Sequence, residues 1–203
     1  MPATLVTPSA KYQTYSVSGK TLVDIAKSID RKGPVDPNDR KRVVFLTETA
    51  LDCNPSKGKY KASRKPKIDK KTGWFDAEVK IDSLKLTMIS TITCPKRAVS
   101  GLSTKAFVEW IRFYVACMVH EGEHIEKAKK ECQKIVKEMN ALRGTSLGET
   151  EAEAETEAIN NLIYSLHNFF DRQPDRLNKL HAKFDKSSHH GKSKGAKLDK
   201  TIV

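Results

Sequence analysis

The stretch VACMVHEGEHIEKAKKE, residues 115–131, sets His120, Glu121 and His124 in the pattern H-E-x-x-H. Two histidines four apart on a helix point the same way and can reach one ion. A glutamate beside them can take a proton from water that the ion activates. The chemistry this predicts is metal-assisted hydrolysis, with His120 and His124 as ligands and Glu121 as general base. It requires the three side chains to face inward, because a metal site needs supporting partners and a shaped pocket.

A helical wheel tests that requirement. At about 100° per residue, with His120 at zero, His124 falls near ~40° and Glu121 near ~100°. Phe113, Cys117, Ile125, Ala128, Cys132, Ile135, Met139 and Leu142 fall between about 20° and 140° on the same wheel. The motif therefore lies on the apolar stripe, with Glu123 on the outer side. A solvated charged face would instead group His120 and Glu121 with Glu123 and Lys130. Burying a glutamate and two histidines is costly unless something pairs with them, and a divalent ion does.

A catalytic zinc takes three protein ligands and leaves a fourth position open. The acidic run GETEAEAETE, residues 148–157, offers carboxylates. If the following helix returns antiparallel, that run sits roughly 18 to 30 Å from the motif, at about 1.5 Å per residue. It reads better as a solvated helix start, where negative charge suits the dipole. The same geometry puts His167 and Asp171 in the facing zone, as alternative ligands or supporting partners. His181 reads as a surface residue. His189 and His190 lie in FDKSSHHGKSKG, a polar segment that either folds back over a pocket or forms an exposed tail.

The elements that must position these residues are legible from pattern. Thr14–Val17 reads as a short strand. Ser18–Asp30 reads as a helix capped by Ser18 or Gly19, with Leu22, Ile25 and Ile29 on one face. Gly33, Pro34 and Pro37 mark a loop. Val43–Thr47, Trp74–Ile81 and Leu84–Thr93 read as strands. A long helix runs from Thr104 to about Leu142, and Arg143–Gly148 reads as a turn. Two helices follow, Glu149 to about Asp171 and Pro174–Phe184. The expected class is α+β: a small, mainly antiparallel N-terminal sheet with one helix, then a helical half carrying the motif. The 203 residues suit a single domain over 1–191 and a basic flexible tail over 192–203.

The formal net charge is +12. Residues 55–71 hold eight basic residues and one acid, and Lys57–Lys71 reads as a basic loop able to meet a polyanion. None of the four cysteines forms a C-x-x-C pair, which argues against a cysteine-rich structural zinc site. Cys117 and Cys132 read as buried thiols, and Cys53 and Cys94 as a pair that could bond. No apolar run approaches the length of a transmembrane segment. The N-terminal residues lack the basic and apolar regions of a signal peptide.

Several segments, in order, resemble a bacterial family of mostly uncharacterised proteins described as predicted secreted zinc-dependent proteases. YSVSGKTLVDIAKSID with Gly33-Pro34 is similar to its N-terminal strand and helix, and TGWFDAEV to its threonine–tryptophan strand. TITCP leading into WIRFYVACMVHEGEH is similar to its tryptophan helix with the metal motif. FDKSSHHG resembles its closing Tyr-Asp-x-x-Thr-x-His-Gly segment. Phe184 stands there for tyrosine, Ser188 for threonine, and His190 takes the histidine position. The resemblance implies a zincin-like metallopeptidase with Zn²⁺ on His120, His124 and His190, a peptide or protein substrate, and a periplasmic or secreted location. It raises His190 above His189.

Two other classes remain open. A basic binding module for nucleic acid or an anionic envelope polymer would bind with steep salt dependence. A catalytically inactive zinc-binding relative would hold metal and cleave nothing.

Overall fold

A computed structural model describes residues 2–96 and 99–203, the side chain of Lys194 excepted. Among the described residues, eight strands and four α-helices follow in chain order. They are β1 (Thr4–Val6), β2 (Lys11–Tyr15), α1 (Leu22–Lys32), β3 (Leu46–Asp52), β4 (Lys59–Ala62), β5 (Lys67–Ile68), β6 (Phe75–Ser83), β7 (Lys85–Pro95), α2 (Thr104–Ala141), β8 (Gly144–Gly148), α3 (Glu151–Phe170) and α4 (Gln173–Ser188). The class is the expected mixture of strands and helices, with the strands mostly early and the helices late.

The chain divides into two compact units. The first comprises Met1–Pro8, Ala50–Met88 and Lys129–Arg176. Its centre is β6, which pairs antiparallel with β4, β5 and β8. Alternation along β6 buries Ala77, Val79 and Ile81 against Ile135 and Met139 of α2 and Ala158 and Leu162 of α3. Thr150 and Glu153 form a reciprocal capping box that starts α3, and Glu151 and Glu153 occupy its first turn as expected.

Two expectations change here. Arg143–Gly148 is not a bare turn, because Gly144–Gly148 forms β8 against residues 75–79 of β6. Gly144 permits it: a Cβ there would lie 2.0 Å from the Ala158 carbonyl oxygen, so only a bare Cα lets the strand lie on α3. The basic stretch is not an open loop either. It contains β4 and β5, and two of its charges are paired, Lys61 with Asp82 at 2.6 Å and Arg64 with Asp76.

The second unit comprises Ser9–Thr49, Ile89–Ala128 and Leu177–Val203. Its α1 is capped by Thr21, not by Ser18 or Gly19; the Thr21 hydroxyl accepts from Asp24 N–H, and Asp24 accepts from Thr21 N–H. Leu22, Ile25 and Ile29 then join Phe45, Ile92, Trp110, Phe113 and Cys117 in one core. Strand β2 runs parallel to residues 91–95 of β7. In the first unit β1 likewise runs parallel to residues 85–87. The mainly antiparallel expectation therefore holds for the β6 sheet and not for the partners β1 and β2 of β7. Parallel pairing needs a long connection, and the chain between β2 and β7 supplies one.

Residues 192–203 are docked in this unit, where a flexible tail was expected. Arg112 donates to the Gly195 and Lys197 carbonyls at 2.9 and 2.7 Å, and Asp199 N–H donates to Glu109 at 2.9 Å. Ala196 is buried, with Leu198 and Ile202 packed nearby. All four cysteines are free thiols, so Cys53 and Cys94 are not bonded. No helix among the described residues is long and apolar enough to cross a membrane.

Gly144→Ala is expected to lower stability by about 1–3 kcal/mol, because backbone and not a flexible side chain blocks the added methyl. Urea denaturation of the variant beside the parent chain measures this.

Candidate metal centre

The apolar stripe of α2 turns inward as the wheel required. Phe113, Cys117 and Ala128 are buried, and so are His120, Glu121 and His124, each about 5% exposed or less. A second helix completes the cluster. Along α4 the buried positions Leu177, His181, Phe184 and Ser188 recur every three or four residues, and Asp185 stands beside them.

Three donor atoms meet where these helices face each other. His120 Nε2 and His124 Nε2 are 3.2 Å apart, and Asp185 Oδ1 lies 3.1 Å from the first and 3.0 Å from the second. Donors around a tetrahedral ion with bonds of about 2.0–2.1 Å are separated by roughly 3.3 Å. The triangle is thus close to the spacing one small cation imposes, and these three side chains form a cluster that could hold a metal. Both histidines present the same ring nitrogen, and the carboxylate supplies negative charge.

Neighbouring groups hold the rings. Phe184 stacks on His120 with centroids 4.9 Å apart and meets His124 edge-on at 4.7 Å. The Lys127 ammonium lies over the Phe184 ring, 4.5 Å from its centre. His124 Nδ1 is 2.9 Å from His181 Nδ1, and His181 Nε2 is 3.3 Å from Thr49 Oγ1. Burial, with the nearby His124, pushes His181 down to about 4, so its ring is neutral at pH 7. It can therefore accept a proton bond from His124 and donate to Thr49.

The two carboxylates differ. Burial holds Glu121 above the usual carboxylate range, opposed by the hydrogen bond from Thr47 Oγ1 at 2.7 Å and by the two histidines. Burial also works to raise Asp185, but hydrogen bonds from His120 and His124 outweigh it and hold Asp185 well below that range. One carboxyl is thus poised to take up a proton and the other to stay anionic.

The chain then closes over the site. Ser188 Oγ donates to the Phe184 carbonyl and accepts from Gly191 N–H, and His190 N–H donates to the Asp185 carbonyl. His189, His190 and Gly191 all have positive φ, at 51°, 53° and 76°. A Cβ on Gly191 would lie 2.9 Å from His120 Cγ. Glycine is needed there both for the left-handed backbone and because the backbone lies against the ring.

Some expected residues are brought together and others are not. His120, Glu121 and His124 converge. Asp185 takes the place expected for His190, whose half-exposed ring lies 3.7 Å from Asp185 through Nδ1 and is not grouped with His120 and His124. His189 is exposed. His167 and Asp171 are exposed, lie in the first unit, and are not among the clustered donors. His181, expected at the surface, is buried. The sequence pattern did not point to Asp185, Thr47 or Thr49 as site residues, and it placed His181 at the surface. A signal for Asp185 and His181 existed: Leu177, His181, Phe184 and Asp185 follow helical spacing, and Asp185 is the aspartate of the closing segment.

The arrangement defines an α+β protein with a buried histidine–carboxylate cluster on two helices. The chain belongs to the family described as bacterial protein of unknown function (DUF922), whose model matches residues 12–191. That span contains every residue of the cluster. No curated protein and no solved structure matches the chain.

Gly191→Ala is expected to displace His120, and any divalent cation the triangle holds should then bind about 10- to 100-fold more weakly, measured by calorimetric titration with zinc chloride. A second expectation concerns acid. His181 has a lowered proton affinity in the fold, so the unfolded chain binds more protons as pH falls below its ordinary value of 6.5. The metal-free protein should then lose stability between pH 6.5 and about 4, by at most about 3 kcal/mol. Asp185 adds to the loss at lower pH. Urea titrations across this range should show a shallower dependence for His181→Asn.

Proposed function

We propose that this protein is a zinc-dependent metallohydrolase that cleaves peptide bonds. The observation that carries the reading is the buried Nε2–Nε2–Oδ1 triangle of His120, His124 and Asp185, with buried Glu121 beside it on the same helix. Two histidines and one carboxylate are a donor set of catalytic zinc sites. The resemblance to predicted secreted zinc-dependent proteases supports the peptidase class over other hydrolases.

When bound, zinc supplies Lewis-acid polarisation of a carbonyl and makes water more acidic. The rest falls to the chain's own groups. His124 is oriented by His181 and Thr49, which leaves its Nε2 lone pair for the ion. Asp185 contributes the anionic donor. Glu121, with its raised proton affinity, takes the proton from attacking water and passes it to the departing amine. Thr47 fixes the carboxylate that does this.

Glu121→Gln should retain zinc and lose roughly 10²- to 10⁴-fold in hydrolysis of a broad peptide library. Turnover at the parent rate would sink Glu121 as the base. His120→Ala should lose the zinc of this site, read by mass spectrometry of the purified protein. A parent chain that holds zinc and cleaves nothing in the library would overturn the peptidase reading and leave a metal-binding role.

A further inference from the structure

A second group of donors touches the first. Asp36, Asp185 and His190 each offer one ligand atom, and these atoms lie within 4.8 Å of one another. The two groups share Asp185 alone. We infer that Asp36, Asp185 and His190 form a second divalent-cation site, bridged to the first through the Asp185 carboxylate. The inference rests on Asp185 being a ligand of the first site.

Each donor is set in place by its backbone. Asp36 is buried at 4% exposure within a tight loop. Its N–H donates to the Lys41 carbonyl, its carbonyl accepts from Arg40 N–H, and Asn38 N–H donates to its Oδ1 at 2.7 Å. His190 is delivered by the left-handed turn after α4, where its N–H bonds the Asp185 carbonyl at 2.9 Å. Its Nδ1 faces Asp185 Oδ1 at 3.7 Å, longer than a hydrogen bond. Two carboxylates so close, one of them buried, repel unless a positive charge lies between them. A carboxylate has two oxygens and can serve two ions at once.

The chemistry differs from that of the first site. Two carboxylates and one imidazole form a harder, oxygen-rich set. His190 is half exposed, so this side is open to water and to a substrate's anionic or carbonyl oxygen. Paired ions sharing a ligand can clamp a substrate on both sides of the attacked bond. The closing His-Gly then has two tasks: Gly191 packs against His120, and His190 serves the outer ion.

The test is a calorimetric titration of the metal-free full chain with zinc chloride, with bound zinc counted by mass spectrometry and folding checked by circular dichroism. Two equivalents are expected, the second weaker. Asp36→Asn and His190→Asn (asparagine tolerates the left-handed backbone) should each keep the first equivalent and weaken the second at least about tenfold. A single equivalent in the parent chain, lost in His120→Ala and unchanged in both variants, overturns the second site and leaves the proposed function standing. A second equivalent that survives both variants also overturns it. No zinc bound by the folded parent chain overturns both readings.

Discussion

Two carboxylates and three imidazoles removed from water are the constraint around which the second compact unit is arranged. Asp185 is half-buried, and Glu121, His120, His124 and His181 are almost wholly so. Ionised groups in such surroundings are expensive unless each charge has a partner. The protein groups meet part of that need. Asp185 Oδ1 lies within hydrogen-bond distance of both motif histidines, Thr47 donates to Glu121, and His181 and Thr49 continue the chain of polar contacts from His124. What they leave is a set of donor atoms about 3 Å apart with excess negative charge, the condition a divalent cation satisfies and a packed apolar core would not require.

The architecture of the unit follows from serving that cluster. Helix α2 supplies three of its side chains at fixed helical spacing, and its other inward residues, Trp110, Phe113 and Cys117, pack with α1 and β7 residues in the same core. Helix α4 supplies the remaining acid and His181, and packs Phe184 against both motif rings. The turn after α4 then packs Gly191 against His120, and the docked C-terminal residues join the adjoining apolar core. The Arg112–Glu109 pair, itself held by two hydrogen bonds of 2.6 and 2.7 Å, ties that last segment down. The histidines thus have packed neighbours on several sides, as a preorganised site requires.

What was legible in the sequence was what periodicity controls. The α2 stripe, the inward motif, the existence of three late helices and the strands β6 and β7 all follow from local spacing of apolar residues. Less legible were features decided by partners distant in the chain. Gly144–Gly148 looks like a turn because glycine and serine favour turns, yet pairing with β6 and the close approach to α3 make it a strand. Lys57–Lys71 looks solvated by composition, yet β4 and β5 form because β6 offers its edges. Spacing alone ends α4 at Phe184, four residues short of Ser188. That truncation hid Asp185, since an aspartate just past a helix end reads as a loop residue and not as one turn beyond His181. The closing pattern points to His190 as third ligand, and the same pattern contains Asp185.

The contact between His124 and His181 allows two proton arrangements, with different consequences for the triangle. One proton must lie between the two Nδ1 atoms. If His181 carried it, His124 Nε2–H would point at Asp185, and the cluster would be a closed hydrogen-bonded network. If His124 carries it, His181 can donate through Nε2 to Thr49, and His124 Nε2 is left with a free lone pair facing His120 and Asp185. The second arrangement satisfies Thr49 as an acceptor and readies His124 as a ligand in one step. Passing from the first arrangement to the second moves the His181 Nδ1 proton to His124 Nδ1, releases the His124 Nε2 proton to solvent and returns a proton to His181 Nε2, with no side chain turning. His181 is thus better understood as the group that sets the tautomer of His124 than as a fourth donor, and its burial, which keeps it neutral, is what allows it to do so.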